Sequence, residues 1–298
     1  MNTGTGNTLK GTVLLFTAAL IWGSAFVVQS VGMDYVGPFT FTGSRNLIGS
    51  AVLLPFILIR GKMAPEPAGN RATDRRFLIT GGAVCGVLLC IAANLQQIGI
   101  QYTTVGKAGF ITAMYIVIVP LLGIFLGRKT GALIWISVAL AVAGLYLLSM
   151  KGSFSLQRGD AFMLMCAFAF AFQITAIDHY VKQADGVKLA CLEFLVCGVL
   201  SCLAALLTEK ITADALYHAA VPILYAGVLS SGVAYTFQIL GQKELRPAVA
   251  SLIMSFESVI SALSGWLLLG QKLTLREICG CVIIFAAIVL AQMPHGGK

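Results

Sequence analysis

Ten long apolar runs dominate the chain and constrain its fold more than any other feature. A helix needs about 20 apolar residues to cross about 30 Å of hydrocarbon, and each run is close to that length. The runs lie at residues 11–31, 37–59, 77–99, 104–126, 131–149, 159–179, 187–207, 219–240, 247–269 and 274–292. They predict an all-α integral membrane protein with ten transmembrane helices, because the segments between them are too short to form a soluble domain.

Charged residues are too scarce for a soluble protein. Asp, Glu, Lys and Arg make up 11% of the 298 residues, against roughly 25% in an average soluble domain. A soluble chain of this size needs more polar side chains to cover its surface. The composition therefore argues against a soluble enzyme, a disordered chain or a nucleic-acid binder.

The sequence contains no recognisable motif for catalysis, metal binding or cofactor binding. The three histidines, at 179, 218 and 295, lie in loops or at the ends of runs, and the eight cysteines lie within apolar runs without a C-x-x-C pair. Cysteines in such runs are typical of small buried side chains. We therefore expect no catalytic residue, no metal and no cofactor, and we do not expect an enzyme.

Lysine and arginine are distributed unevenly between the runs, which predicts the orientation in the membrane. With the N-terminus in the cytoplasm, thirteen lie on the cytoplasmic side and five on the outer side. The cytoplasmic set is Lys10, Arg60, Lys62, Arg71, Arg75, Arg76, Arg128, Lys129, Lys182, Lys188, Lys243, Arg246 and Lys298, and the outer set is Lys151, Arg158, Lys210, Lys272 and Arg276. Both termini are therefore predicted to be cytoplasmic, and the net charge of +8 needs no nucleic-acid partner. The cluster at residues 60–76 is either a topology signal only or a binding site for anionic lipid headgroups.

The two halves of the chain resemble each other at regular offsets. LQQIG at residues 95–99 aligns with FQILG at 237–241, an offset of 142, and the same offset places Tyr115 on Glu257. Gly11 aligns with Gly159 at an offset of 148. Because each half has five runs, the second copy must enter the membrane in the opposite orientation. The pattern predicts two inverted repeats, at residues 1–151 and 152–298, which is typical of secondary transporters.

Several motifs resemble those of the EamA family in the drug/metabolite transporter superfamily. They are IWGSAF at 21–26, KAGFITAMYIVIVPLL at 107–122, GLYLL at 144–148, GD at 159–160, and the stretch 251–272. The resemblance covers nearly the whole chain and implies ten helices in two inverted EamA repeats, with transport of small metabolites. Family members often carry Glu after the Gly that ends spans 4 and 9, where this chain has Arg128 and Gln271.

Two opposite charges occupy nearly equivalent places in the repeats. Arg45 lies in the second run and Glu193 in the seventh, 148 residues apart. Ionisable side chains inside a membrane cost free energy and usually face a cavity or a partner. One interpretation is substrate contact or a gating ion pair across a central cavity. The other is a structural pair, or side chains that reach to the nearer membrane interface.

Glu257 is the most deeply placed acid, near the middle of the ninth run. Small and polar residues, among them Ser261, share its helical face. It is predicted to carry a proton or to contact a cation, and the alternative is an acid hydrogen-bonded inside the bundle. Its equivalent, Tyr115, precedes Pro120, which can kink a helix beside a cavity or simply bend it.

Further polar and aromatic residues in the runs are candidates for the lining of a cavity. Amide side chains can donate and accept hydrogen bonds, so they suit a polar organic solute, but they also join helices to one another. Both interpretations stay open for these residues. The set is Trp22, Ser24, Asn94, Gln97, Gln173, Tyr235, Gln238 and Ser261.

Together these features predict a secondary active transporter. It would move a small organic metabolite, amino acid or drug-like solute across the cytoplasmic membrane by alternating access with proton coupling. An uncoupled facilitator is one alternative, and a membrane-embedded enzyme acting on lipid or isoprenoid is another. The expected partners are a small-molecule substrate and the lipid bilayer, and a homodimer is kept as an alternative to a monomer.

Overall fold

The computed structural model describes residues 3–63, 71–103, 105–128, 130–149, 158–269 and 274–293, and in these residues it contains helices and no β-strand. Ten candidate membrane spans are present, as predicted. Seven spans are single helices, and spans 4, 8 and 9 are each divided into consecutive helices. The single helices are Thr3–Gly32 (span 1), Pro38–Met63 (span 2), Arg71–Ile100 (span 3), Ala132–Ser149 (span 5), Arg158–Tyr180 (span 6), Gly186–Thr208 (span 7) and Leu275–Gln292 (span 10).

The divided spans each combine two or three helices. Span 4 consists of Val105–Thr112 and Tyr115–Phe125, and span 9 of Pro247–Met254 and Glu257–Leu269. Span 8 consists of Ala220–Tyr225, the π-helix Ala226–Tyr235 and Thr236–Glu244, preceded by the short helix Ala213–His218.

Spans 4 and 9 are interrupted at equivalent positions. Span 4 breaks at residues 113–114 and span 9 at residues 255–256, again 142 apart. The backbone is tightened in the same way at both breaks. Met114 N donates to Ile111 O and Ile116 N to Ala113 O, and the equivalent bonds, Phe256 N to Ile253 O and Ser258 N to Ser255 O, recur in span 9. In each of these bonds the donor lies three residues after the acceptor. This spacing is that of a 3₁₀-helix, which is wound more tightly than an α-helix.

The shared break changes the interpretation of Pro120. This proline lies inside the helix that follows the break in span 4, and the equivalent residue of span 9 is Ala262. Span 9 breaks in the same way without a proline, so a break of this kind does not need one.

Contacts between spans also repeat between the two halves. Span 1 crosses span 8 at Gly11 and Gly241, where a Cβ atom on either residue would lie 3.0–3.1 Å from the carbonyl oxygen of the other. Span 6 crosses span 3 at Gly159 and Gly99 in the same manner, with distances of 2.8 and 3.2 Å. Both crossings bring two backbones together where only glycine fits. The aligned glycines of the two repeats therefore make equivalent contacts.

The two ends of the described chain lie together. Thr12 donates a hydrogen bond from Oγ1 to Oε1 of Gln292, at 3.0 Å. An even number of spans requires both termini to be on one side of the membrane, and this contact agrees with that requirement.

Candidate functional site

A central cavity lies among seven of the ten spans. It is small, with a volume of about 40 Å³. Spans 1, 2, 3, 4, 6, 8 and 9 contribute lining residues. They are Trp22, Phe26, Gln29, Arg45, Gln96, Thr112, Tyr115, Phe170, Ile174, Ser230, Tyr235, Gln238, Met254 and Glu257.

Most of the lining consists of equivalent residues from the two repeats. Ten of the fourteen residues form five pairs related by the offsets seen in the sequence. The pairs are Trp22 with Phe170 and Phe26 with Ile174, at an offset of 148, and Gln96 with Gln238, Thr112 with Met254 and Tyr115 with Glu257, at an offset of 142. The cavity therefore lies at the interface of the repeats, where transporters with inverted repeats place their substrate site.

Glu257 and Tyr115 meet in this cavity. Each begins the helix that follows the break in its span, and both are buried. The Tyr115 hydroxyl donates a hydrogen bond to Oε1 of Glu257, at 3.3 Å. The predicted candidate for proton coupling thus lines the cavity, with one phenol as its hydrogen-bond partner.

Arg45 lines the same cavity and is 1% exposed. Its Nη1 donates to Oε1 of Gln29, at 3.3 Å, and its guanidinium carbon lies 6.0 Å from the centre of the Phe41 ring. Neither Nε nor Nη2 has a hydrogen-bond partner in the described part of the chain. Of the three guanidinium nitrogens, Nη1 alone thus has a hydrogen-bond acceptor in the described residues, and this acceptor is the neutral side chain of Gln29.

The described part of the structure contains no ion pair between Arg45 and Glu193, the pair that their positions suggested. Glu193 is fully buried and does not line the cavity. Its Oε1 accepts a hydrogen bond from Nε2 of Gln173 at 2.7 Å, and Oε1 of Gln173 accepts one from Gln238 at 3.4 Å. Gln173, which also lies outside the lining, therefore connects Glu193 to the cavity wall. Although their positions are equivalent, Arg45 and Glu193 hydrogen-bond to different residues.

Aromatic rings form much of the cavity wall. The Trp22 and Tyr235 rings pack edge to face, with centroids 4.7 Å apart, and the Phe194 ring also packs edge to face with Tyr235, with centroids 6.0 Å apart. The Trp22 indole Nε1 is buried and has no hydrogen-bond partner among the described residues.

Four other predicted residues lie outside the central cavity. Ser24 shares a 2.7 Å hydrogen bond with the Tyr225 hydroxyl, and Asn94 donates to Ser201 Oγ at 2.8 Å. These contacts join neighbouring helices, which was the alternative left open for them. The remaining two are Gln97, whose Nε2 lies 3.4 Å from Met33 Sδ, and Ser261, which is half-buried.

Several residues of the cavity lining are not among those predicted from the sequence. For one of them, Gln96, the repeat offset gives a signal. Gln96 lines the cavity, whereas its neighbour Gln97 was chosen because of its helical face. The repeat offset places Gln96, and not Gln97, on Gln238. Gln29, the one amide side chain within the first apolar run, is not among the predicted residues. Thr112 and Ser230 resemble many other small polar residues of the spans and gave no distinct signal.

A second cavity lies between spans 4, 5 and 6, the end of span 8 and the start of span 9. Its volume is about 480 Å³. The buried Asp178 carboxylate in its lining pairs with Arg128 at 2.7 Å and with Lys182 at 3.1 Å. Lys243, Glu244 and Arg246 also line it. The larger cavity is thus basic and lies at the ends of the spans.

Ten apolar helices in two inverted repeats, with a cavity at the repeat interface, define a multi-pass membrane protein of the transporter class. The pattern of the EamA-like transporter family matches this chain twice, at residues 9–150 and 157–293. The chain belongs to the EamA-like transporter family, as its motifs indicated.

Individual relatives agree with this assignment. An uncharacterized transporter from Archaeoglobus fulgidus is 27% identical over 94% of this chain and 84% of its own length. The inner membrane transporter YedA of Escherichia coli K12 is 26% identical over 94% of this chain and 89% of its own. An S-adenosylmethionine/S-adenosylhomocysteine transporter from Chlamydia muridarum is 25% identical over 87% and 84%. A crystal structure with 18% identity superposes with a TM-score of 0.75 over 95% of this chain and 96% of the other, which shows that the fold is shared.

Proposed function

We propose that this protein is a secondary active transporter that carries a small organic solute across the cytoplasmic membrane by alternating access. The solute is a metabolite, an amino acid or a drug-like molecule. One observation carries the proposal: the central cavity is lined by equivalent residues from both inverted repeats. A site built in this way contacts both halves of the protein, so a movement of one half against the other changes its access to either side.

The size of the cavity supports a conformational cycle. A volume of about 40 Å³ is far below the roughly 300–1,000 Å³ of a typical small-molecule site. A solute therefore requires the surrounding spans to move apart. The breaks at residues 113–114 and 255–256 adjoin lining residues and lie in equivalent spans, so they are suited to act as hinges.

Proton coupling is assigned to Glu257. A buried carboxyl group that lines a cavity can take up a proton from one side and release it to the other as access changes. Tyr115 supplies a hydrogen bond to the carboxyl group and comes from the opposite repeat. A relative movement of the repeats would alter this bond, which links the state of the acid to the state of the transporter.

The membrane orientation follows from the basic residues. The thirteen-to-five distribution of Lys and Arg supports a cytoplasmic location for both termini and an opening of the second cavity on the cytoplasmic side. The hydrogen bond between Thr12 and Gln292 supports a shared side for the two termini. For the oligomeric state, a homodimer is proposed as the alternative to a monomer.

Solute uptake by the purified protein in proteoliposomes tests the function. We would measure uptake of labelled amino acids, S-adenosylmethionine and organic acids, with and without an imposed pH gradient. S-adenosylmethionine is included because one relative is named as its transporter. Accumulation that requires the gradient supports coupled transport, whereas uptake that only equilibrates indicates a facilitator. Absence of transport for all solutes, together with turnover of an isoprenoid or lipid, would support the enzyme alternative.

A further inference from the structure

Two unpaired nitrogens of Arg45 form one edge of its guanidinium group. Nη1 is occupied by Gln29, and the nitrogens without a partner in the described residues are Nε and Nη2. In a planar guanidinium, Nε–H and the adjacent Nη2–H point in the same direction. This edge matches the two oxygens of a carboxylate and accepts it in a bidentate manner.

In the described part of the chain, this charge forms no ion pair and has one hydrogen-bond acceptor, Gln29. Arginine stays protonated in proteins, and an unmatched buried charge costs several kcal/mol. Glu193, the equivalent acid of the second repeat, forms no ion pair with Arg45 and hydrogen-bonds to Gln173. Glu257, the single acid in the cavity lining, receives the Tyr115 hydroxyl. The described protein therefore holds a cation whose binding edge has no protein acceptor.

We propose that Arg45 binds a carboxylate group of the transported solute through Nε and Nη2. This inference rests on the proposed function and specifies the chemistry of its substrate. The binding edge belongs to a residue of the cavity lining, so a solute in the expanded cavity can reach it. The carboxylate neutralises the buried guanidinium and satisfies both of its free donors.

The rest of the cavity suits the remainder of such a solute. Trp22, Phe26, Phe170 and Tyr235 provide an aromatic wall for an apolar body. The unpaired indole Nε1 of Trp22 is a further donor for an oxygen atom. The substrate class is thus a carboxylic acid with an apolar or aromatic portion.

The first experiment compares acids with their amides on the purified full-length protein. The probes are 3-phenylpropionate with 3-phenylpropanamide, and L-phenylalanine with L-phenylalaninamide. Binding is measured by thermal stabilisation across a concentration series. We expect at least one acid to bind about 10- to 100-fold more tightly than its amide, as is typical of a buried charge-assisted bidentate contact. Phenyl phosphate distinguishes a carboxylate site from a general oxyanion site: tighter binding of this ester than of the acids would overturn the carboxylate assignment.

Variants of Arg45 then locate the effect. Arg45→Gln should abolish the preference for acids, and Arg45→Lys should give an intermediate preference because it keeps the charge but loses the flat edge. Arg276→Gln is the matched control, since Arg276 lies over the Tyr146 ring at 5.3 Å and does not line the cavity. If Arg45→Gln fails to fold, the acid and amide series on wild type and Arg45→Lys decides the question.

The results that would reject the carboxylate site differ from those that would reject the proposed transport function. Equal binding of acids and amides, or an acid preference that survives in Arg45→Gln, would overturn the assignment of Arg45. So would the absence of any acid binding. If neutral solutes are nevertheless transported in proteoliposomes, the proposed function stands and the carboxylate inference alone is rejected. If no solute of any class is transported, the proposed function itself fails.

Discussion

The hydroxyl group of Tyr115 donates a hydrogen bond to Oε1 of Glu257 at 3.3 Å, and the two residues are equivalents in the two repeats, 142 positions apart. A contact between equivalent residues places them beside the symmetry axis that relates the repeats. At this point the two copies have diverged, since one contributes a phenol and the other a carboxyl group. The protein thereby has a single acid in a site whose lining consists mostly of equivalent pairs.

Replacement of Tyr115 tests the role of this hydrogen bond. Tyr115→Phe removes the hydroxyl donor and keeps the ring, so it should cost about 1 kcal/mol of stability and reduce pH-gradient-driven accumulation less than loss of the acid does. Uptake into proteoliposomes and thermal unfolding measure the two effects. Tyr146→Phe, which alters an exposed tyrosine, is the control. Unchanged accumulation by Tyr115→Phe would show that coupling does not use the bond.

The crossing of spans 3 and 6 should not tolerate a larger residue. A Cβ atom at Gly159 would lie 2.7 Å from the backbone carbon of Tyr102 and 2.8 Å from the Gly99 oxygen. Gly159→Ala should therefore destabilise the protein by about 1–3 kcal/mol, as overpacking does. Gly123→Ala is the matched control, because its nearest neighbour atom would be 3.9 Å away. Equal thermal stabilities of the two variants would contradict the described crossing.

Double-mutant cycles should separate residues in contact from residues that are equivalent only in sequence. Gln173 and Glu193 share a 2.7 Å hydrogen bond, so the effects of Gln173→Leu and Glu193→Leu on thermal stability should be non-additive. Arg45 and Glu193 form no ion pair, so Arg45→Gln and Glu193→Gln should be nearly additive. A strong coupling in the second cycle would instead indicate that Arg45 and Glu193 interact, as their equivalent positions suggested.

Much of the fold was predictable, because the features that encode it are long or repeated. Apolar runs predicted all ten spans, and the offset of 142 predicted the equivalence of Tyr115 and Glu257. The breaks in spans 4 and 9 were not predicted as such. Span 9 breaks at the equivalent place without a proline, so a proline is not their common signal. The π-helix Ala226–Tyr235 likewise had no distinct signal, since its small residues are common in membrane helices.

The site was predicted less completely than the fold. Six of the twelve candidates line the central cavity, and the other six lie elsewhere. The six in the lining are Trp22, Arg45, Tyr115, Tyr235, Gln238 and Glu257. A polar residue in a span is equally suited to face a cavity or another helix, as Asn94 does. The direction of a side chain depends on how the helices rotate against one another, and periodicity alone does not determine that rotation.

The orientation of the chain gives a prediction that is independent of the site. We expect residue 69, in the basic segment 60–76, to be cytoplasmic because positive residues are retained on that side. A single cysteine introduced there, in a variant without the native cysteines, should react with an impermeant thiol reagent only after the inside is made accessible. Labelling of intact cells from the outside would reverse the assigned orientation.

The most direct test of the central claim is transport by Glu257→Gln in proteoliposomes. Glutamine keeps the size of the neutral acid but cannot release a proton, so the variant should lose pH-gradient-driven accumulation while it retains solute exchange. Glu193→Gln is the matched control, because it makes the same change at a buried acid that does not line the cavity, and it should still accumulate solute. Full gradient-driven accumulation by Glu257→Gln would contradict the assignment of Glu257 as the proton carrier.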